Sequence, residues 1–149
     1  MKRTLIAATV VCFGAGSAIA EVAPLDVVFE DGAVTASLTG TPGDPANGRM
    51  VFANRKLGNC LACHANSDLS DQLFHGEIAP SLDGVGSNWE EAKLRALLVN
   101  SKTVFEGTIM PGFYTTAGFS RVMSKFDGKT ILTAQEVEDV LAYLLTLTE

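Results

Sequence analysis

The clearest alternation of apolar and polar positions lies near the C-terminus, in "TAQEVEDVLAYLLTL". Its large apolar residues recur at i, i+3, i+4, i+7 and i+8, which is the spacing of one face of an α-helix. They are Val137, Val140, Leu141, Leu144 and Leu145. Thr133 and Glu136, three residues apart at the start of this stretch, have the spacing of a capping box. The pattern therefore predicts a final helix with one buried face.

Two further segments have helical patterns. Asp44 followed by Pro45 predicts an N-cap and a first helical residue. Ser87 and Glu90 have capping-box spacing and precede an apolar stripe. The stripe consists of Leu94, Leu97 and Leu98. With the C-terminal pattern, these segments predict a small all-α domain.

The N-terminus has a different pattern. Met1-Lys2-Arg3 is followed by the apolar run "TLIAATVVCFGAGSAIA", which ends in the small-x-small site Ala18-Ile19-Ala20. This is typical of a secretory signal peptide cleaved after Ala20, and it predicts export. A membrane anchor is the alternative, but the apolar run is short and broken by glycines.

Residues 21–43 contain the β-prone pieces "VVF" and "AVTASL", separated by the turn signal Asp31-Gly32. They form either a disordered lead-in to the first helix or an extended arm that packs on a partner. The predicted organisation is a signal peptide at 1–20, an N-terminal arm at 21–43 and a helical domain at 44–149.

Charge limits the classes of partner. The chain has 149 residues and a formal charge of −6. Loss of Lys2 and Arg3 with the signal peptide leaves 9 basic and 17 acidic residues, hence −8. Such an acidic surface argues against nucleic acid or anionic lipid as a partner. No second apolar stretch is long enough to span a membrane, so we expect no membrane insertion after export.

Candidate chemistry lies in "NCLACHA", which contains Cys60, Cys63 and His64. On a helical turn these positions share one face and can address one ligand. A redox disulfide would be expected within a βαβ pattern, and zinc would need ligands beyond His75. C-x-x-C-H is typical of covalent haem attachment, so we predict one haem c bound through both cysteines, with His64 as an iron ligand. The disulfide remains the alternative.

A second axial ligand decides what such a haem does, and three residues are candidates. His75 lies only eleven residues after His64, too close to reach the other haem face. Met123 lies among basic residues, whereas Met110 lies in "GTIMPGFY", where glycines and Pro111 favour a tight, stiff loop. We therefore predict Met110 as the distal ligand, with Met123 still open.

Taken in order, a first helix with Gly48 and Phe52, then C-x-x-C-H, "APSLDGVG", "IMPGF" and the final helix resemble the class I cytochromes c. The resemblance covers 44–149 and implies an all-α class I cytochrome c fold around one covalent haem. It implies that the Pro80 carbonyl accepts a hydrogen bond from His64, although Ala79 replaces the family's usual glycine. It also implies that the first and last helices cross. The residues in that contact would be Gly48, Phe52, Tyr143 and Leu144.

A finer resemblance rests on "GNCLACHA", "APSLDGVGSNW", "TIMPGFY", "GFSRV" and the long segment between Met110 and the last helix, which contains Arg121. This set is similar to the SoxX family, the monohaem subunits of the SoxAX cytochromes of thiosulfate oxidation. The resemblance implies a periplasmic heterodimer with a SoxA-type haem subunit. That partner would hold the catalytic centre of an L-cysteine S-thiosulfotransferase, which couples thiosulfate to a cysteine of a SoxYZ-type carrier protein.

On this interpretation the chain has no catalytic residues of its own. With His64 and Met110 both bound, the iron has no open position, so the protein relays single electrons to a small acceptor cytochrome c. A free-standing periplasmic cytochrome c that shuttles electrons is the alternative function. The long segment after Met110 is expected to form a surface loop near the haem edge.

Overall fold

The computed structural model describes residues 20–149, so the predicted signal peptide lies outside the described residues except for Ala20. Helices and short 3₁₀ turns make up the regular structure of this part of the chain, and no strand occurs in it, as the all-α prediction requires. The α-helices are α1 (Pro45–Ala53), α2 (Val85–Asn88), α3 (Glu91–Asn100) and α4 (Ala134–Thr146). None of the helices in this range is long and apolar enough to cross a membrane.

Helix α4 forms the centre of the core. Its predicted capping box is present, with the Thr133 side chain accepting from the Glu136 N–H and the Glu136 side chain accepting from the Thr133 N–H. The predicted apolar face is buried, apart from Leu145, which is partly exposed. The buried residues are Val137, Val140, Leu141 and Leu144.

Helix α1 crosses α4 at Gly48. Asp44 caps α1 as predicted, because its side chain accepts from the Ala46 N–H at 2.9 Å. A Cβ atom on Gly48 would lie 1.9 Å from the Asp139 carbonyl oxygen, so only glycine permits this approach. One turn further along, the Phe52 and Tyr143 rings meet edge to face with centroids 5.5 Å apart. The helix contact implied by the resemblance is confirmed.

Helix α3 begins later than predicted. Ser87 belongs to the single turn of α2, and the chain is extended at Trp89 before α3 starts at Glu91. Glu90 is the N-cap of α3 and makes no side-chain capping bond, so the predicted Ser87–Glu90 capping box is wrong. The physical reason is the break at Trp89, which separates the two residues into different helices. The apolar stripe itself is confirmed, with Leu94 and Leu98 buried.

The N-terminal arm, residues 21–43, is extended and packs on its own domain. The Val34 N–H donates to the Ala92 carbonyl on α3 at 2.9 Å. The Leu38 N–H donates to Glu138 Oε1 on α4 at 2.7 Å. Val34 and Leu38 are both buried. The turn predicted at residues 31–32 is present, with φ of 49° and 74°. Contact of the arm with a partner stays a prediction.

A buried ion pair lies under the arm. Arg95 Nε donates to Glu138 Oε1 at 3.0 Å, and both side chains are only 5% exposed. Arg95 Nη1 also donates to the Val34 carbonyl at 3.1 Å. The pair thus joins α3, α4 and the arm in one hydrogen-bonded group.

The long segment after Met110 is a surface loop, as predicted. Its base is fixed at Phe113, whose carbonyl accepts from the N–H groups of Ile131 and Leu132, both at 3.0 Å. Residues 117–131 are exposed except for Thr130. Several large apolar side chains of the loop face solvent. They are Phe119, Val122, Met123, Phe126 and Ile131.

Candidate functional site

An apolar cavity of about 580 Å³ lies between the C-x-x-C-H turn, α3 and α4. The five residues predicted to hold the cofactor all line it. They are Cys60, Cys63, His64, Pro80 and Met110. The fold therefore brings together groups that are up to fifty residues apart in the sequence. Their roles as ligands stay predictions, which the geometry of each group supports or limits.

The C-x-x-C-H motif forms one tight turn. Asn59 adopts a left-handed conformation, with φ of 51°, just before a 3₁₀ helix at Cys60–Ala62. The Cys60 carbonyl accepts from the N–H groups of both Cys63 and His64, at 3.1 and 3.0 Å. Neither cysteine is in a disulfide. The turn keeps both thiols and the imidazole on the cavity wall, as a single shared ligand requires.

The protonation of Cys60 argues against a redox disulfide. Burial raises the pKa of the Cys60 thiol to about 12, so the thiol is protonated at neutral pH. A dithiol oxidoreductase depends on a thiolate of lowered pKa. The part of the chain that the structure describes also has no βαβ unit around the motif. These observations do not favour a redox disulfide at this motif.

His64 is oriented by the residue that the resemblance indicated. Its Nδ1 atom lies 2.7 Å from the Pro80 carbonyl oxygen. A carbonyl can only accept, so Nδ1 carries the proton and Nε2 keeps a lone pair for a metal. Ala79 does not disturb this arrangement, because its N–H donates to the Cys63 carbonyl at 3.0 Å.

The three candidates for the distal ligand differ in placement. Met110 is partly buried against the core and lines the cavity. Met123 is 62% exposed and lies outside the cavity lining. Both ring nitrogens of His75 are engaged, one with the Asn66 N–H at 3.3 Å and one with the Leu69 carbonyl at 3.0 Å. Of the three, Met110 alone is placed to meet a ligand in the cavity.

Sequence reasoning missed part of the lining. Trp89 and Phe105 form an edge-to-face pair with ring centroids 6.1 Å apart, and both rings border the cavity. Trp89 is the only tryptophan in the sequence, which could have marked it as a candidate lining residue. Its pairing with a residue sixteen positions later depends on the break between α2 and α3, which no local pattern predicted.

The donor set fits a haem. The cavity has the volume of a cofactor site and apolar walls. Two thiols suit covalent attachment, while an imidazole with a free Nε2 and a thioether suit iron. Within residues 20–149 no three His, Cys, Asp or Glu side chains cluster so as to hold a metal by themselves.

Comparisons with known proteins agree with this geometry. The sequence model of the cytochrome c family matches residues 45–148. The chain therefore belongs to the cytochrome c family, whose members transfer electrons through covalently bound haem c.

Within that family, a solved structure indicates which subgroup the chain is similar to. The crystal structure of SoxXA from P. pantotrophus contains a chain that is 50% identical to this one, with a TM-score of 0.82. The match covers 87% of this chain and 100% of that chain. It supports the SoxX resemblance and the class I cytochrome c fold with an extended arm. A search among curated proteins finds no match.

Proposed function

We propose that this chain is the monohaem electron-transfer subunit of a SoxAX-type complex in the periplasm. One observation carries the proposal: a haem-sized cavity contains the C-x-x-C-H turn, Pro80 and Met110, in a chain half identical to one from a SoxXA structure. The match covers the whole of that chain, which supports a protein of the same type.

Each cavity residue has a stated role. Cys60 and Cys63 would attach one haem c, which supplies one-electron transfer when bound. His64 would ligate through Nε2 while Pro80 fixes its ring and raises its basicity. Met110 would provide the second axial group. With His64 and Met110 both bound to the iron, no position would be left open for a substrate, so this chain would act as an electron relay.

The SoxX resemblance implies the partners, and the electron balance of the reaction agrees with them. Joining thiosulfate to a cysteine thiol forms a sulfur–sulfur bond and releases two electrons and one proton. In the proposed heterodimer, the SoxA-type haem subunit holds the reacting groups and a SoxYZ-type carrier protein provides the cysteine. A one-electron relay must act twice per turnover, so it needs an acceptor that leaves after each step, such as a small cytochrome c.

Export is part of the proposal. Cleavage after Ala20 would release a mature chain that begins at Glu21, followed by the arm at 21–43 and the cytochrome domain at 44–149. N-terminal sequencing of the protein from a periplasmic extract tests this directly. A mature protein that retains residues 1–20 would contradict the signal-peptide prediction.

The deciding experiment is purification of the full-length gene product from its native periplasm. We expect a c-type haem spectrum and a co-purifying larger haem protein, with thiosulfate-dependent reduction only in the complex. A matched Cys60→Ser/Cys63→Ser variant should lose the covalent haem. A small haem protein that purifies alone would instead support the free electron shuttle, and a colourless protein would return the motif to the disulfide alternative.

Contact between the arm and the partner needs a milder perturbation than deletion. Val34 and Leu38 belong to the core, so removing the arm would unfold part of the domain. Leu25 and Val28 are 72% and 67% exposed, and their replacement by serine leaves the core intact. We expect this double variant to keep its haem spectrum and to lose partner co-purification; retained co-purification would exclude these two arm positions from the contact.

A further inference from the structure

The main chain of Met110 is held by the side chains of Ser101, Lys102 and Thr108. Ser101 Oγ donates to the Met110 carbonyl oxygen at 2.6 Å. Lys102 Nζ donates to the same oxygen at 2.5 Å and to the Thr108 carbonyl at 2.8 Å. On the other side of the residue, the Met110 N–H donates to Thr108 Oγ1 at 3.2 Å. Both polar atoms of the Met110 backbone therefore have fixed partners.

Two of these partners, Ser101 and Lys102, lie directly after the end of α3. Ser101 starts the 3₁₀ turn that follows α3 and has no exposed surface. Beyond Met110, the Phe113 N–H donates to the Leu98 carbonyl at 3.0 Å, and the next residue pairs with Val99 in the same way. The loop is thus tied to α3 both at Met110 and three residues after it. The Met110 carbonyl itself is held by the Ser101 and Lys102 side chains.

We propose that Ser101 and Lys102 are positioning residues for Met110: they hold its main chain so that the thioether stays at the cavity. The proposal rests on the assignment of Met110 as the second axial ligand. A thioether binds iron weakly, so ligation depends on how completely the loop is restricted before the bond forms. Each lost hydrogen bond gives the loop additional conformations in which the thioether lies away from the cavity.

Competition with an added ligand measures this restriction. Imidazole can bind the ferric holoprotein only when the thioether has left, so its apparent affinity reports the fraction of released Met110. Ser101→Ala removes a buried hydrogen bond, and we expect the apparent imidazole affinity to rise about tenfold. Lys102→Gln removes an exposed donor, and we expect about a threefold rise. Loss of the near-infrared thioether-to-iron band reports the exchange.

Matched variants separate positioning from general destabilisation. Lys102→Arg keeps a charged donor and should restore the wild-type imidazole affinity. Lys93→Gln removes an exposed lysine from α3, the helix that precedes Lys102. The Lys93 side chain forms an ion pair with Glu90 at 3.9 Å, and its loss should leave the imidazole affinity unchanged. If Ser101→Ala does not fold, Thr108→Val removes the hydrogen bond to the Met110 N–H instead and should raise the apparent imidazole affinity severalfold.

The outcomes distinguish the two proposals. Met110→Leu should abolish the near-infrared band; if the band survives, Met110 is not the ligand, and the positioning proposal falls with that assignment. If Met110→Leu abolishes the band but the Ser101, Lys102 and Thr108 variants all keep wild-type imidazole affinity, the ligand assignment stands and the positioning proposal is overturned.

Discussion

Replacement of Gly48 by alanine tests the closest approach in the fold. The new Cβ atom would lie 1.9 Å from the Asp139 carbonyl oxygen and 2.9 Å from the Tyr143 Cβ. The first of these neighbours is backbone inside α4 and cannot rotate away. Helices α1 and α4 must therefore move apart by at least about 1 Å to reach a contact distance above 3 Å. That movement opens the core at the Phe52–Tyr143 ring contact.

The size of the effect follows from opposing contributions. Alanine is favoured over glycine in a helix by about 1 kcal/mol. Overpacking costs about 3 kcal/mol at the upper end of its usual range, because the obstacle is backbone. Loss of the edge-to-face ring pair costs about 1 kcal/mol more. We therefore expect Gly48→Ala to lower the free energy of unfolding by about 3 kcal/mol and the melting temperature by about 10 °C.

The assay is urea unfolding of the holoprotein, followed by both haem absorbance and far-ultraviolet circular dichroism. Met50→Ala is the matched control, because Met50 lies on the same helix and is 64% exposed. This control should change the free energy of unfolding by less than about 0.5 kcal/mol. A Gly48→Ala protein as stable as the wild type would refute the claim that the helix crossing requires glycine.

Three further predictions concern polar side-chain contacts. Arg95→Met leaves the Glu138 carboxylate buried without its charged partner and should lower the free energy of unfolding by about 3 kcal/mol in urea titrations; a loss below about 1 kcal/mol would contradict this. Tyr114→Phe removes the hydroxyl that donates to the Val22 carbonyl at 2.7 Å, so amide exchange in the arm should accelerate while the haem spectrum stays unchanged. Hydrogen bonds from Tyr143, and then from Arg49, lower the pKa of Asp68 below its ordinary value of 3.8. The ionised carboxylate therefore stabilises the fold above about pH 4, and the free energy of unfolding should fall as acid protonates it. This fall with decreasing pH should be shallower in Tyr143→Phe.

Local patterns predicted the parts of the fold that depend on neighbouring residues. The apolar spacing and capping box of α4 need only one helical turn of context, and Asp44-Pro45 likewise marks the start of α1. The C-x-x-C-H turn is also local, since its hydrogen bonds join residues three and four positions apart. In each case the interaction that selects the structure lies within the segment itself.

Other parts depended on contacts between distant segments. The arm is fixed by bonds to Ala92 and Glu138, about sixty and one hundred residues beyond the donors in the chain. The start of α3 is set by the extended conformation at Trp89, which overrides a regular capping-box spacing. Ser101 has no distinguishing pattern in the sequence, because its contact with Met110 exists only when the loop has folded back onto α3.

The two sides of the cavity therefore differ in how strongly their contacts restrain them. The His64 side would be joined to the haem through two cysteines, and its turn is closed by short-range hydrogen bonds and by the Pro80 carbonyl. The Met110 side is a loop between exposed residues, with Ile109 77% exposed, and its order depends on bonds to a separate helix. Local opening begins where few buried apolar contacts oppose it. The thioether side should therefore be the first part of the site to open, and substitutions at the end of α3 should alter iron ligation before they alter haem attachment.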